Sequence, residues 1–113
     1  MQIDALFAGI AVSDFDTARR WYERFFDRPA DVVAHETEQM WQTSANGWLY
    51  IVGDPDHAGH GIVAIAVPDI EAALAALRER DIRSGPIERQ AENARKAVVV
   101  DPDGNTIGII EAH

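Results

Sequence analysis

Two rhythms of apolar and polar positions run through this chain. Leu6 to Val12 is a short apolar run closed by Ser13-Asp14, and it predicts a strand. Ser13 or Asp14 then offers a side-chain oxygen to the free N–H groups of a first helical turn. Ala18, Trp21, Tyr22, Phe25 and Phe26 recur at steps of three and four, interleaved with Arg19, Arg20, Glu23 and Arg24. That spacing puts the rings on one face of a helix near residues 15 to 27, stopped by Asp27-Arg28-Pro29. Asp31 to Thr37 and Glu38 to Thr43 read as two weaker strands. Asn46-Gly47 is a hairpin turn signal, and Trp48 to Val52 is the strand after it.

The order restarts beyond a Gly- and Pro-rich linker, Gly53 to Gly61. Ile62 to Val67 predicts a strand that Pro68-Asp69 breaks. Ile70 to Arg80 predicts a helix with Ala73, Leu74 and Leu77 on one face. Pro86 to Gln90 and Val98 to Val100 read as strands. Asp101-Pro102-Asp103-Gly104-Asn105 is a dense cluster of turn formers, in which Pro102 fixes φ and Gly104 supplies φ > 0. Thr106 to Ile110 completes a hairpin around it. A shift of 55 positions lays Ile10 to Ala18 over Ile65 to Ala73. Strand, helix and three strands therefore occur twice, and a repeat of this kind governs the whole fold.

Composition narrows the picture. At 113 residues this is one domain, long enough to bury roughly two thirds of its unfolded surface. The formal net charge of −9 argues against nucleic acid or an anionic membrane as partner. There is no Cys, so disulfides, thiol nucleophiles and Cys-rich zinc sites are excluded together. Met1-Gln2-Ile3-Asp4 has no basic leader character and no apolar run approaches about 18 residues. A soluble, cytoplasmic protein is the expectation.

Gly9 to Asp14 with Trp21-Tyr22, Ile65 to Glu71, and Ser84-Gly85-Pro86 leading to Asp101 to Asn105 together resemble the vicinal oxygen chelate superfamily of glyoxalases, bleomycin-resistance proteins and extradiol-type dioxygenases. The resemblance covers nearly the whole chain. It implies an α+β fold of two βαβββ modules paired edge to edge, with sheets curled around a cleft. Module 1 would span about residues 4–53 and module 2 about 61–112, joined by a linker at 54–60.

Strand alternation sorts the residues of such sheets. Ala8, Ile10 and Val12, with Val63, Ile65 and Val67, and with Ile107 and Ile109, should pack on the helices. Phe7, Gly9 and Ala11, with Ile62, Ala64 and Ala66, and with Gly108 and Ile110, should face the cleft. The small members either leave room for a ligand or simply allow close backbone packing. In metal-dependent members of the superfamily, four cleft positions carry His, Gln or Glu ligands. Counted onto this chain, they are Phe7, Tyr50, Ile62 and Gly108. These offer no imidazole or carboxylate, so no metal and no other cofactor is expected. Asp54, Asp56, His57 and His60 form a second grouping in the linker, better read as a solvated loop.

What the cleft offers instead is aromatic: Phe7 and Tyr50, with Trp48 on the same side of its strand and Trp41 across the Asn46-Gly47 turn. The two tryptophans would serve equally well as core or dimer-interface residues. Ring clusters bind planar or cationic organic molecules. Two function classes follow. One is a metal-independent protein that sequesters an aromatic or cationic organic compound, as bleomycin-resistance proteins do. The other is an enzyme of the superfamily with an atypical or absent metal site. The expected cleft residues are Phe7, Trp41, Trp48, Tyr50, Ile62, Gly108 and Ile110. The expected partners are a small organic molecule and a second copy of the chain. Catalytic residues are not assigned. Arg95, Lys96, His35 and Glu36 lie on strands of open register, and Glu111 is expected to be exposed.

Overall fold

A computed structural model describes residues 1–112; His113 lies outside the described residues. Strand β1 (Leu6–Val12) leads into helix α1 (Phe15–Phe26), then β2 (Val32–His35), β3 (Glu38–Ser44) and β4 (Gly47–Gly53). The linker holds a short 3-10 turn at Pro55–His57. The same order then returns: β5 (Ile62–Ala66), α2 (Ile70–Glu79), β6 (Glu88–Ala91), β7 (Ala94–Val100) and β8 (Thr106–Ala112). The sheets run β1-β4-β3-β2 and β5-β8-β7-β6. In each, the first and last strands of the module are parallel and the rest antiparallel. This is the expected pair of βαβββ units. β6 begins two residues later than expected. β7 begins four residues earlier and β8 runs two further.

The two helices start alike. The Asp14 carboxylate accepts from Thr17 N–H and the Asp69 carboxylate from Ala72 N–H, each at 3.1 Å. Hydrogen bonds from the first turn hold the Asp14 carboxyl below the usual carboxylate range. α1 ends at Asp27, whose φ of 58° turns the chain out of the helix. Its apolar face buries Ala18, Trp21, Tyr22 and Phe25 against sheet 1, and α2 buries Ile70, Leu74 and Leu77 against sheet 2. Ile10, Val12, Leu49, Ile51, Ala97, Val99, Ile107 and Ile109 complete one continuous core.

The Asp101–Asn105 turn locks the modules together. Gly104 takes φ 96°, as its place in the turn requires. The buried Asp101 carboxylate accepts from the Tyr22 hydroxyl at 2.8 Å, from Asn105 Nδ2 at 2.8 Å and from two backbone N–H groups of its own turn. Asn105 Nδ2 also donates to Ala11 O at 3.0 Å, and its Oδ1 accepts from Gly61 N–H at 2.7 Å. Asp103 accepts from the backbone and hydroxyl of Ser13. Module 2's turn thus holds both the end of β1 and α1 of module 1. Burial, with the Asp101 charge beside it, pushes the Tyr22 phenol far above its ordinary value.

Candidate functional site

Each sheet has one face under its helix and one face open. On sheet 1, Gly9 pairs with Tyr50, Phe7 with Trp48, Met40 with Tyr50 and Gln42 with Trp48. Directly paired residues share a face, and these lie opposite the buried Ile10, Leu49 and Ile51. Phe7 and Trp48 stack, with ring centroids 5.8 Å apart and planes 15° from parallel. Phe7 remains 51% exposed. The Tyr50 ring lies across Gly9, in the space a side chain there would need. Module 1 therefore presents three rings on a solvent-facing sheet.

On sheet 2, Ala64 pairs with Gly108, Val98 with Gly108 and Lys96 with Ile110. Ile62 is 84% exposed, and Val98 and Val100 are also exposed. Ile107 and Ile109 lie beneath α2's side of the sheet, so Gly108 and Ile110 face outward as alternation predicts. Of the seven expected cleft residues, Phe7, Trp48 and Tyr50 come together on one sheet. Ile62, Gly108 and Ile110 occupy the open face of the other.

Trp41 is the exception and corrects the expectation. It is 0% exposed, sits under α1 and stacks on Phe26 with centroids 5.3 Å apart. Its indole N–H donates to Arg28 O at 3.0 Å. The cause is a register shift between Gln42 and Ser44. Ser44 pairs with Gly47, but beyond the irregularity Trp48 pairs with Gln42 and Trp41 with Leu49. An unshifted hairpin would set Trp41 opposite Tyr50. One extra residue moves every side chain beyond it to the other face.

Glu111 corrects a second expectation. It faces away from Gly108 but is only 4% exposed. Its carboxylate accepts from Ile70 N–H at 2.9 Å, at the start of α2, and pairs with Arg95 at 2.8 Å. Arg95 also binds Glu71 on the helix. These two carboxylates keep the Arg95 guanidinium firmly protonated. Arg95 is thereby placed on the helix side and away from the open face.

The remaining polar groupings are local. His35 Nε2 lies 3.4 Å from Glu38 and His57 Nδ1 lies 2.8 Å from Asp54, both exposed. His60 is exposed. Among the described residues, no group of three or more His, Cys, Asp or Glu is placed to hold a metal ion. The four positions that the resemblance marks for metal ligands, Phe7, Tyr50, Ile62 and Gly108, hold a phenyl, a phenol, an aliphatic chain and a hydrogen, a donor set that does not fit a first-row divalent metal.

Sequence reasoning left Lys96 unassigned, and the structure puts it on the open face beside Gly108. The early start of β7 decides this. Ala94-Arg95-Lys96 lacks β-branched residues, so local preference did not extend the strand back that far. A separate groove of about 320 Å³ lies behind the sheets, among Phe25, Phe26, Val67, Ala73 and Leu77.

A family model described as Glyoxalase/Bleomycin resistance protein/Dioxygenase superfamily matches residues 3–109. Among solved structures, a glyoxalase/bleomycin resistance protein from Catenulispora acidiphila is 38% identical. The match covers 96% of this chain and 98% of that one, with a TM-score of 0.90. A bleomycin-binding protein complexed with bleomycin is similar in fold, at 20% identity over 97% and 99% of the two chains and a TM-score of 0.79. An antibiotic-binding protein from Streptomyces sp. CB03234 is similar in fold at 22% identity, 100% and 97% coverage and a TM-score of 0.77. None of the curated proteins matches the chain. Among the described residues, no helix is long and apolar enough to cross a membrane.

Proposed function

The chain belongs to the glyoxalase/bleomycin resistance protein/dioxygenase superfamily, and within it we propose a metal-independent protein that binds and sequesters an aromatic organic compound on the open sheet faces. The observation that carries this reading is the exposed Phe7–Trp48 stack with Tyr50 beside it. Rings left on a solvent-facing sheet bury favourably against a planar partner. Solved structures of similar fold include a bleomycin complex and an antibiotic-binding protein, which supports small-molecule binding as the shared theme. The experiment is titration of planar aromatic compounds into the protein, read by tryptophan fluorescence. Saturable quenching is expected, and its absence across a chemically broad panel refutes the reading. Incubation with Zn²⁺, Ni²⁺ or Fe²⁺, followed by desalting and elemental analysis, should leave no stoichiometric metal. Stoichiometric retention would revive the enzyme reading.

The proposal includes a homodimer in which the open faces of two copies close the binding cleft. The accessible surface is 6900 Å², whereas a compact monomer of this mass exposes about 6,200 Å². Leu6, at the start of β1, is 73% exposed, and Ile62, at the start of β5, is more exposed still. β1 and β5 are edge strands of their sheets. Bare apolar residues on unpaired edges suit a two-fold partner. Light scattering at micromolar concentration should give the mass of two chains; the mass of one chain would refute the dimer.

A further inference from the structure

The open face of module 2 carries a charge that aromatic binding does not use. Lys96 is the single lysine of the sequence; every other basic side chain apart from histidine is an arginine. Its neighbour Arg95 turns to the helix side and is engaged by Glu71 and Glu111. Lys96 turns the other way and lies across Gly108. A Cβ built at Gly108 would stand 2.5 Å from Lys96 Cε and 3.3 Å from Nζ. The missing side chain at 108 is what lets the lysine stem lie flat on the sheet. Among the described residues, Lys96 makes no hydrogen bond or ion pair. Glu88, opposite it on β6, shares the face without reaching ion-pair distance. Lys96 lines a pocket of about 170 Å³ with Gly85, Pro86, Glu88, Gln90 and Val98. In a chain of net charge −9, an ammonium that stays unpaired although Glu88 is its registered neighbour is a group left free for a ligand.

We propose that Lys96 determines specificity by holding a carboxylate of the ligand, so that the ligand class is an aromatic acid and not an organic cation. The inference rests on the aromatic-binding reading above and narrows it. In the two-copy cleft proposed above, the Phe7–Trp48 stack with Tyr50 would take the ring system and Lys96 over Gly108 the charge. An ammonium donating to a carboxylate beside apolar walls forms the stronger, charge-assisted kind of hydrogen bond.

The test uses three probes with one ring system: 2-naphthoate, its neutral amide, and the naphthylmethylammonium cation. Each is titrated by calorimetry into the full chain and into Lys96→Gln and Lys96→Arg. The naphthoate should bind the parent about tenfold or more tightly than the amide. Lys96→Gln should bring naphthoate to within about twofold of the amide and leave amide binding unchanged. Lys96→Arg should keep most of the preference. Far-ultraviolet circular dichroism should be the same for all three proteins, because Lys96 supports no core contact. Equal affinity for naphthoate and amide, tightest binding of the cation, or an acid preference that survives Lys96→Gln overturns this inference and leaves the aromatic reading standing. If none of the three probes binds, this inference falls, and the broad aromatic panel above decides the reading it rests on.

Discussion

The two modules share a backbone plan and a helix-side core but differ on the faces they leave open. Their helices start on equivalent aspartates, and the core residues Ile10, Val12, Leu49 and Ile51 of module 1 are matched in module 2 by buried Ile107 and Ile109, with Ile65 and Val67 partly buried against them. The open faces diverge. Module 1 shows Phe7, Trp48 and Tyr50, whereas module 2 shows Ile62, Ala64, Gly108 and Lys96. A core position is constrained by close packing on every side, where a changed volume costs stability directly. An open-face position has no such partner and is free to differ. The divergent half of each module is therefore where binding chemistry belongs, and the shared half is where stability belongs.

That division can be broken most severely at the two strand tryptophans. Trp41→Ala empties a site under α1 and should cost about 3–5 kcal/mol in urea unfolding. Trp48→Ala removes a ring from the open face and should cost about 1 kcal/mol, the worth of its stack on Phe7. Similar costs for the two would mean that the faces are not distinct in energy.

The next effect concerns the bond that joins the modules. Tyr22→Phe deletes the hydroxyl that donates to buried Asp101 and should cost about 1.5–3 kcal/mol. It should also change the pH dependence. The Tyr22 phenol titrates far higher when folded than its unfolded value of 10.0, so the folded state holds that proton more tightly. Its stabilisation is intact below about pH 10 and is lost as pH rises beyond that value. Melting curves across this range should show a steeper alkaline loss for the parent than for Tyr22→Phe; parallel curves would refute the coupling.

The smallest effect separates binding from folding. Tyr50→Ala should weaken binding of a planar aromatic by about 0.5–1.5 kcal/mol, a few-fold to tenfold. Ile62→Ala, on the ring-free face, should change aromatic binding by less than about twofold. Fluorescence titration of both variants would contradict the assignment of rings to module 1 if Ile62→Ala proved the more harmful.

Local chemistry written in the sequence was enough for the elements, their order and their repetition. Three- and four-residue steps mark α1, two-residue alternation marks the strands, and the Asp101–Asn105 run can form little besides a turn. Alternation sorts each strand into two sets, and the larger β-branched set is the one expected under the helices; Phe7, Tyr50, Ile62 and Gly108 are expected on the cleft side from the family resemblance. What needed the tertiary structure was every property set by a partner distant in the chain. One irregularity between Gln42 and Ser44 sends Trp41 under the helix. The start of α2 and the Arg95 guanidinium make burial of Glu111 tolerable. The extension of β7 puts Lys96 over Gly108. The Asp101 turn, read as a hairpin tip, proves to be the clamp between modules because Tyr22, Ala11 and Gly61 come to meet it. Periodicity says which residues of one strand share a face; only pairing between strands and the seating of a helix decide which face that is.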